Sequence, residues 1–357
     1  MSTTNLHHVW NYTERDRRFW DEHLDDWLPE KIIDAHMHVT RPGARHEPLT
    51  EEKRRQYWVN EVNEPMGAET AERCVSTIYP DRDVSCVVMG SPSLDFDVES
   101  QNQYLARECP PRGWHGLALV RPQWAAEKIC ELLETPGIIG LKPYYGLISA
   151  DPTTRDKHIE ADIYDYLPPH VLEVANEKRA WVTLHVSKSE RLPHPENSRQ
   201  VQEIRAKYPD LSLVLAHLGR CYTEPHAREG IPPLADDPGL YWDLSAVFNP
   251  DVFRIAFENL SPTQLIYGTD NPVFFMRGRR TWEGTSYFNY TSQDFHFNRD
   301  RHEPPDVEAE YTLYTYEALR TIREVGAEFD FGEADISAIF RENAAELIQR
   351  ATGGTYD

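Results

Sequence analysis

Eight short β-rich runs separated by stretches of helical periodicity constrain this chain most, because such alternation belongs to a parallel sheet or a closed α/β barrel. The runs are KIIDAHMHV (31–39), VSCVVMG (84–90), WHGLALV (114–120), GIIGLK (137–142), AWVTLHV (180–186), LSLVLAHLG (211–219), LYWDLSAV (240–247) and QLIYGTD (264–270). Helical patterns fall at 97–108, 123–134, 161–178, 197–207 and 250–258 between them, and at 307–325 and 334–350 after the last. The reading is an α/β fold, a single (β/α)8 TIM barrel over residues 31–357, a length that suffices for eight units with insertions.

Residues 1–30 form an N-terminal extension whose charged, aromatic segment 15–27 predicts a helix packed against the barrel bottom or a partner subunit. Two long connections, 40–64 and 271–306, leave the C-terminal ends of strands one and eight, where barrels carry their lids. The second strings Phe274, Phe275, Trp282, Tyr287, Phe288, Tyr290, Phe295 and Phe297 along a polar loop, the make-up of an aromatic lid or a subunit contact. A homo-oligomer, a dimer first, is the expected assembly.

Composition narrows the partners. With 59 acidic against 37 basic residues the chain carries a formal charge of −22, which repels phosphate backbones and anionic lipid heads. A small-molecule substrate is expected, and neither nucleic acid nor membrane. No run approaches the ~18 apolar residues of a membrane span, and the first twenty residues lack the apolar core of a signal peptide, so a cytoplasmic location is expected. The five cysteines are scattered without close C-x-x-C pairs and read as reduced, mostly structural residues.

The chemistry sits at strand ends. In the run 33–39, period-two alternation puts Asp34, His36 and His38 on one strand face and Ile33, Ala35, Met37 and Val39 on the other. Two imidazoles two residues apart near a strand's end call for a common partner, and a metal ion supplies one. His185 and His217 fall near the ends of two further strands and Asp270 ends the last, so a barrel brings five metal-competent residues from four strands to one rim. Asp34, deeper on the same face, reads as a hydrogen-bond partner that orients a ligand imidazole.

These motifs resemble the amidohydrolase superfamily, in the branch of TIM-barrel proteins that includes aminocarboxymuconate semialdehyde decarboxylase and γ-resorcylate decarboxylase. The resemblance runs over most of residues 31–350 and rests on D-A-H-M-H, T-L-H, Y-P-D-L-S-L-V-L-A-H-L-G-R, Y-G-T-D-N-P and R-E-N-A-A-E-L in that order. It implies one divalent metal ion on His36, His38, His185 and Asp270, with His217 as the catalytic imidazole beside it. Zn²⁺ suits such a donor set, and Mn²⁺, Fe²⁺ or Co²⁺ would fit too. Some binuclear members of the superfamily carry a carboxylated lysine where Lys142 closes strand four; here substrate-anion binding or an ion pair is the preferred role of Lys142.

A divalent ion can lower the pKa of a bound water from ~16 to ~7 and polarise a carbonyl. Asp270 is expected to shuttle the water's proton to the leaving group while His217 polarises or protonates the substrate oxygen. Arg121, Lys142, Tyr144, Lys188, Arg220 and Tyr222 follow or close strands three to six and are the expected substrate-facing residues. Arg41, Arg45 and Arg277 offer a carboxylate clamp, with solvated loop charge as their preferred reading. The reaction read first is hydrolysis of a small, anionic amide, ester or lactone. Non-oxidative decarboxylation comes second, because the surroundings of His185 and the long last loop look less like the decarboxylases than the metal motifs do. A non-catalytic barrel or a metal-independent lactonase comes third.

Overall fold

A computed structural model describes residues 3–151 and 153–354; residues 1–2 of the expected extension and 152 and 355–357 of the expected barrel domain lie outside the described residues. Eight strands form one sheet: β1 (Lys31–His38), β2 (Asp83–Met89), β3 (His115–Val120), β4 (Ile138–Pro143), β5 (Trp181–Leu184), β6 (Ser212–Leu215), β7 (Leu240–Asp243) and β8 (Leu265–Ile266). Each pairs in parallel with its sequence neighbour. The stretch after β8 closes the circle onto β1: Ala35 N donates to Tyr267 O at 3.0 Å, Asp270 N to His36 O at 2.7 Å and His38 N to Asn271 O at 2.7 Å. The fold is therefore the expected TIM barrel.

The lower half of the barrel interior is apolar. Ile33, Leu117, Ile139, Trp181, Val214, Tyr241 and Ile266, with Val87 and Met89 of β2, are packed against Ala344, Ala345, Leu347 and Ile348 of the C-terminal helix Asn343–Thr352. Every strand contributes to this layer, and the helix plugs the mouth beneath it. Close approach of β4 to β5 requires glycine at 140, where a Cβ would stand 1.9 Å from the Trp181 carbonyl oxygen.

Strands five to eight are shorter than their β-rich runs. Beyond the last ladder pair the chain enters left-handed backbone at Lys188 (φ 64°), His217 (57°), Leu218 (49°), Arg220 (64°), Ala246 (60°) and Asp270 (60°). Such conformations in non-glycine residues are costly and cluster where a side chain must be aimed. Two further helices fall outside the helical patterns expected from the sequence. Ala68–Ile78 buries a face of Ala68, Ala71, Cys74, Val75 and Ile78, mostly small residues, and Glu224–Gly230 buries only Ala227 and Gly230. The 161–178 pattern divides into Ile163–Tyr166 and Pro169–Glu177, because proline cannot continue a helix through its interior.

The N-terminal extension is a hairpin (Thr4–His7 with Trp10–Tyr12) followed by the helix Glu14–His23. It lies on the barrel's flank, where Phe19 and Trp20 each place their ring 5.9 Å from that of Tyr316. Asp16, fully buried, accepts from Arg277 Nη1 at 2.9 Å and Thr312 Oγ1 at 2.8 Å, tying the extension to the long connection after β8. No helix among the described residues is long and apolar enough to cross a membrane.

Candidate metal centre

Above the apolar layer the interior turns polar, and β1 makes the change with a bulge. Its register passes from Asp34 opposite Cys86 to Met37 opposite Val88, one residue more on β1 than on β2. The expected strict alternation is thus interrupted: Ile33 and Ala35 join the apolar layer, while the rings of His36 and His38 stand 5.5 Å apart above it. Asp34 does not orient an imidazole. Its carboxylate accepts from Thr269 Oγ1 (2.6 Å), Thr269 N (3.0 Å) and His36 N (3.2 Å), fastening β1 to the stretch after β8, and burial raises its carboxyl to about 7.

The ring of His36 is held by Asp243 at the end of β7, with Nδ1 to Oδ2 at 2.5 Å. Burial, followed by the Lys142 ammonium, lowers His36 to about 3; burial alone would raise Asp243, but His36 and Ser245 overcome it and hold the carboxyl low. The state consistent with both is a neutral imidazole donating Nδ1–H to an ionised carboxylate. His38 likewise places Nδ1 3.0 Å from the carbonyl of Gly90. Both rings therefore turn the Nε2 lone pair toward Asp270, whose Oδ1 lies 3.1 Å from His38 Nε2 and 3.7 Å from His36 Nε2. Such outer partners fix the tautomer that a metal ligand needs.

Among the described residues two groups hold all their donor atoms within 4.8 Å of one another: His36, His38 and Asp270, and His36, His217 and Asp243. His185 lies outside both, with its ring 5.4 Å from that of His217, and its Nδ1 is buried without a hydrogen-bond partner. An orphaned buried imidazole nitrogen beside this trio fits a site completed by a cation. Burial would raise Asp270, but the imidazoles of His217, His38 and His36 outweigh it and hold the carboxyl down to about 2. Gly268 makes the assembly possible, since a Cβ there would stand 2.8 Å from both His36 Cβ and Asp243 Oδ1.

His217 stacks on His36 with ring centroids 4.8 Å apart. Its Nδ1 meets Ser245 Oγ at 2.8 Å, and that hydroxyl spends its own proton on Asp243 Oδ2 at 2.6 Å, so Nδ1 carries the hydrogen and Nε2 a lone pair. Burial lowers its basicity against the raising influence of Asp270 and Asp243. Asp243 was not singled out in the sequence, where one acid in the apolar run LYWDLSAV was the only signal.

The expected substrate-facing residues divide. Lys142 is buried, with Nζ 3.4 Å from His36 Nε2, and burial lowers it to about 8. Tyr144 sets its ring 4.9 Å from His185, and Tyr222 its ring 6.1 Å from His217. Arg121 leaves Nε buried without a partner. Lys188 points elsewhere: its Nζ donates to Asp162 Oδ1 and Glu160 O, both at 2.7 Å. Arg220 Nη1 serves the carbonyls of Val186, Ser187 and Lys188, bracing the loop after β5. Of the loop arginines, Arg41 bonds Ser100, Arg45 stacks over Phe96 and Arg277 pairs with Asp16. Over the site, Tyr287 of the hairpin Arg279–Glu283 with Ser286–Tyr290 meets Tyr222 at 5.6 Å. Tyr57 keeps 55% of its surface exposed.

No curated protein matches the sequence. Among solved structures the chain is similar to a zinc-bound amidohydrolase from Burkholderia multivorans (13% identity, TM-score 0.56, covering 89% of this chain and 98% of that one). It is also similar to a probable 2-pyrone-4,6-dicarboxylic acid hydrolase from Acinetobacter baumannii (14%, 0.52, 89% and 98%). A third is 5-carboxyvanillate decarboxylase from Sphingomonas paucimobilis (14%, 0.51, 90% and 99%). At these identities the likeness establishes the barrel. The amidohydrolase family model matches residues 33–350, nearly the whole barrel, and the chain belongs to that family.

Proposed function

We propose that this protein is a metal-dependent hydrolase of a small, anionic amide, ester or lactone. The observation that carries the reading is the convergence of His36 Nε2, His38 Nε2 and Asp270 Oδ1, with each imidazole turned lone pair inward by an Nδ1 partner. His36, His38, His185 and Asp270 would hold the ion, which when bound supplies an activated water and a Lewis acid at neutral pH. Zinc is the first candidate, supported by the donor set and by the zinc in the Burkholderia neighbour.

Asp270, held ionised, accepts a proton from the attacking water and passes it to the leaving group. His217 offers a lone pair at Nε2 as long as it is neutral. It acts as a donor to the substrate oxygen once it has taken up a proton, a form that Asp270 and Asp243 favour. Tyr144 and Tyr222 flank these two imidazoles and are suited to position the substrate. Decarboxylation is the second reading, supported by the likeness to 5-carboxyvanillate decarboxylase. The test is incubation of the zinc-loaded protein with small esters, lactones, amides and carboxylic acids, followed by mass spectrometry. A product that has gained water is expected; carbon dioxide released from an acid, with no hydrolysis of the others, would contradict the reading.

A further inference from the structure

In a chain with 59 acidic residues most arginines find a carboxylate, as Arg205 does with Asp237 and Arg254 with Glu328. Two arginines at the roof of the site do not. Arg280, in the first strand of the lid hairpin, is 7% exposed. It donates from Nε to Asn289 Oδ1 (2.8 Å) and from Nη1 to the carbonyl of Ala246 (3.0 Å), and Nη2 has no partner among the described residues. Arg191, on the loop after β5, places Nη1 3.1 Å from His226 Nδ1, while its Nε is buried and unpaired. Neither has a carboxylate within ion-pairing distance among the described residues.

The two meet at one ring, that of Tyr287, and Arg280 is also enclosed by Phe248 (4.6 Å), Phe274 (5.6 Å), Tyr314 (5.9 Å) and Trp58 (6.0 Å). The guanidinium carbons lie 4.2 Å (Arg280) and 5.9 Å (Arg191) from the Tyr287 ring centroid, and Arg191 lies 5.1 Å from that of Tyr222. Tyr222 is in turn the neighbour of His217, and Ala246, which fixes Arg280, follows the Ser245 that holds His217. Aromatic faces repay part of the cost of burying a guanidinium, but an unpaired fork still lacks its anion. We propose that Arg191 and Arg280 form a carboxylate clamp at the mouth of the site, binding an acid group of the substrate remote from the bond that reacts. A guanidinium fork matches a carboxylate in charge and geometry. The clamp rests on the proposed reaction only in calling its ligand a substrate.

Isothermal titration of the zinc-loaded protein with benzoate and with its neutral counterpart benzamide tests the clamp without turnover. Benzoate is expected to bind about tenfold or more tightly than benzamide, and Arg280→Gln and Arg191→Gln should each cost benzoate a similar factor and leave benzamide unchanged. Arg191 lies outside the hairpin, so its variant decides the matter if Arg280→Gln disturbs the lid. Should benzoate bind both variants as it binds the original protein, the clamp is wrong; loss on zinc removal or His38→Ala alone would place the carboxylate on the metal instead and equally overturn it. If hydrolysis is never found yet benzoate still requires both arginines, the clamp stands and the proposed reaction falls.

Discussion

The two halves of the barrel interior are built from the same eight strands to opposite ends. Below, every strand supplies apolar side chains in regular backbone, and the C-terminal helix seals them from water. Above, the ends of β1, β4 and β7 carry His36, His38, Lys142 and Asp243, Asp270 follows β8, left-handed backbone occurs at His217, Ala246 and Asp270, and His185 has an unpartnered nitrogen. The lower layer contributes stability through burial, at about 25 cal/mol per Å² of apolar surface. The upper layer spends some of it on aimed side chains, and substitutions in the two should separate folding from function.

The sharpest break comes from Asp270→Asn, which keeps the shape but removes both the proton acceptor and a charged ligand of the ion; the catalytic rate should fall by about 10²- to 10⁴-fold even with metal in excess, while the melting temperature of the metal-free protein barely moves. Kinetics and calorimetry on the same preparation check both halves of that statement. In the lower layer, Trp181→Ala removes a fully buried ring and should cost about 3–5 kcal/mol in denaturant unfolding. The fraction that stays folded should bind metal as before. A Trp181 variant of unchanged stability but impaired metal binding would erase the division between the layers.

Asp243→Asn lies at the border, since the carboxylate touches His36, Ser245 and the His217 amide. Metal affinity or activity should drop by about 10- to 100-fold, the usual weight of a residue that orients a ligand. A competition titration with a chromophoric chelator reads it. The smallest effect is expected at His226, which burial, with Arg191 and Arg220, lowers to about 4. Its folded pKa lies below the unfolded value of about 6.5, so its contribution to stability is present above that value and is lost as pH falls toward 4. The melting temperature should decline less over that interval in His226→Gln than in the original protein; parallel curves would remove His226 from the account.

Strands β1 to β4 were legible in the sequence because their apolar runs coincide with their ladders. The upper ends of β5 to β8 were not, because left-handed residues such as His217 and Asp270 leave no mark on hydropathy. His36, His38, His185 and His217 could be picked out as histidines near the ends of β-rich runs, and Asp270 through the Y-G-T-D-N-P motif that closes the last run. Asp243 could not, since an acid in this chain is no signal until its partner is seen. Position at a strand end also says nothing of direction. Lys188, in left-handed backbone, reaches back to Asp162, and Arg220 braces carbonyls, whereas Arg191 and Arg280 approach Tyr287 from a loop and from the hairpin after β8.

The central claim, a divalent ion on the His36, His38 and Asp270 group with His185 completing it, is tested most directly by elemental analysis of protein purified without chelator. About one equivalent of zinc or another divalent transition metal per chain is expected, falling to a small fraction in His38→Ala with activity lost in step. Substoichiometric metal in the original protein, with activity that survives both chelation and His38→Ala, would contradict it and leave a metal-independent lactonase as the better account.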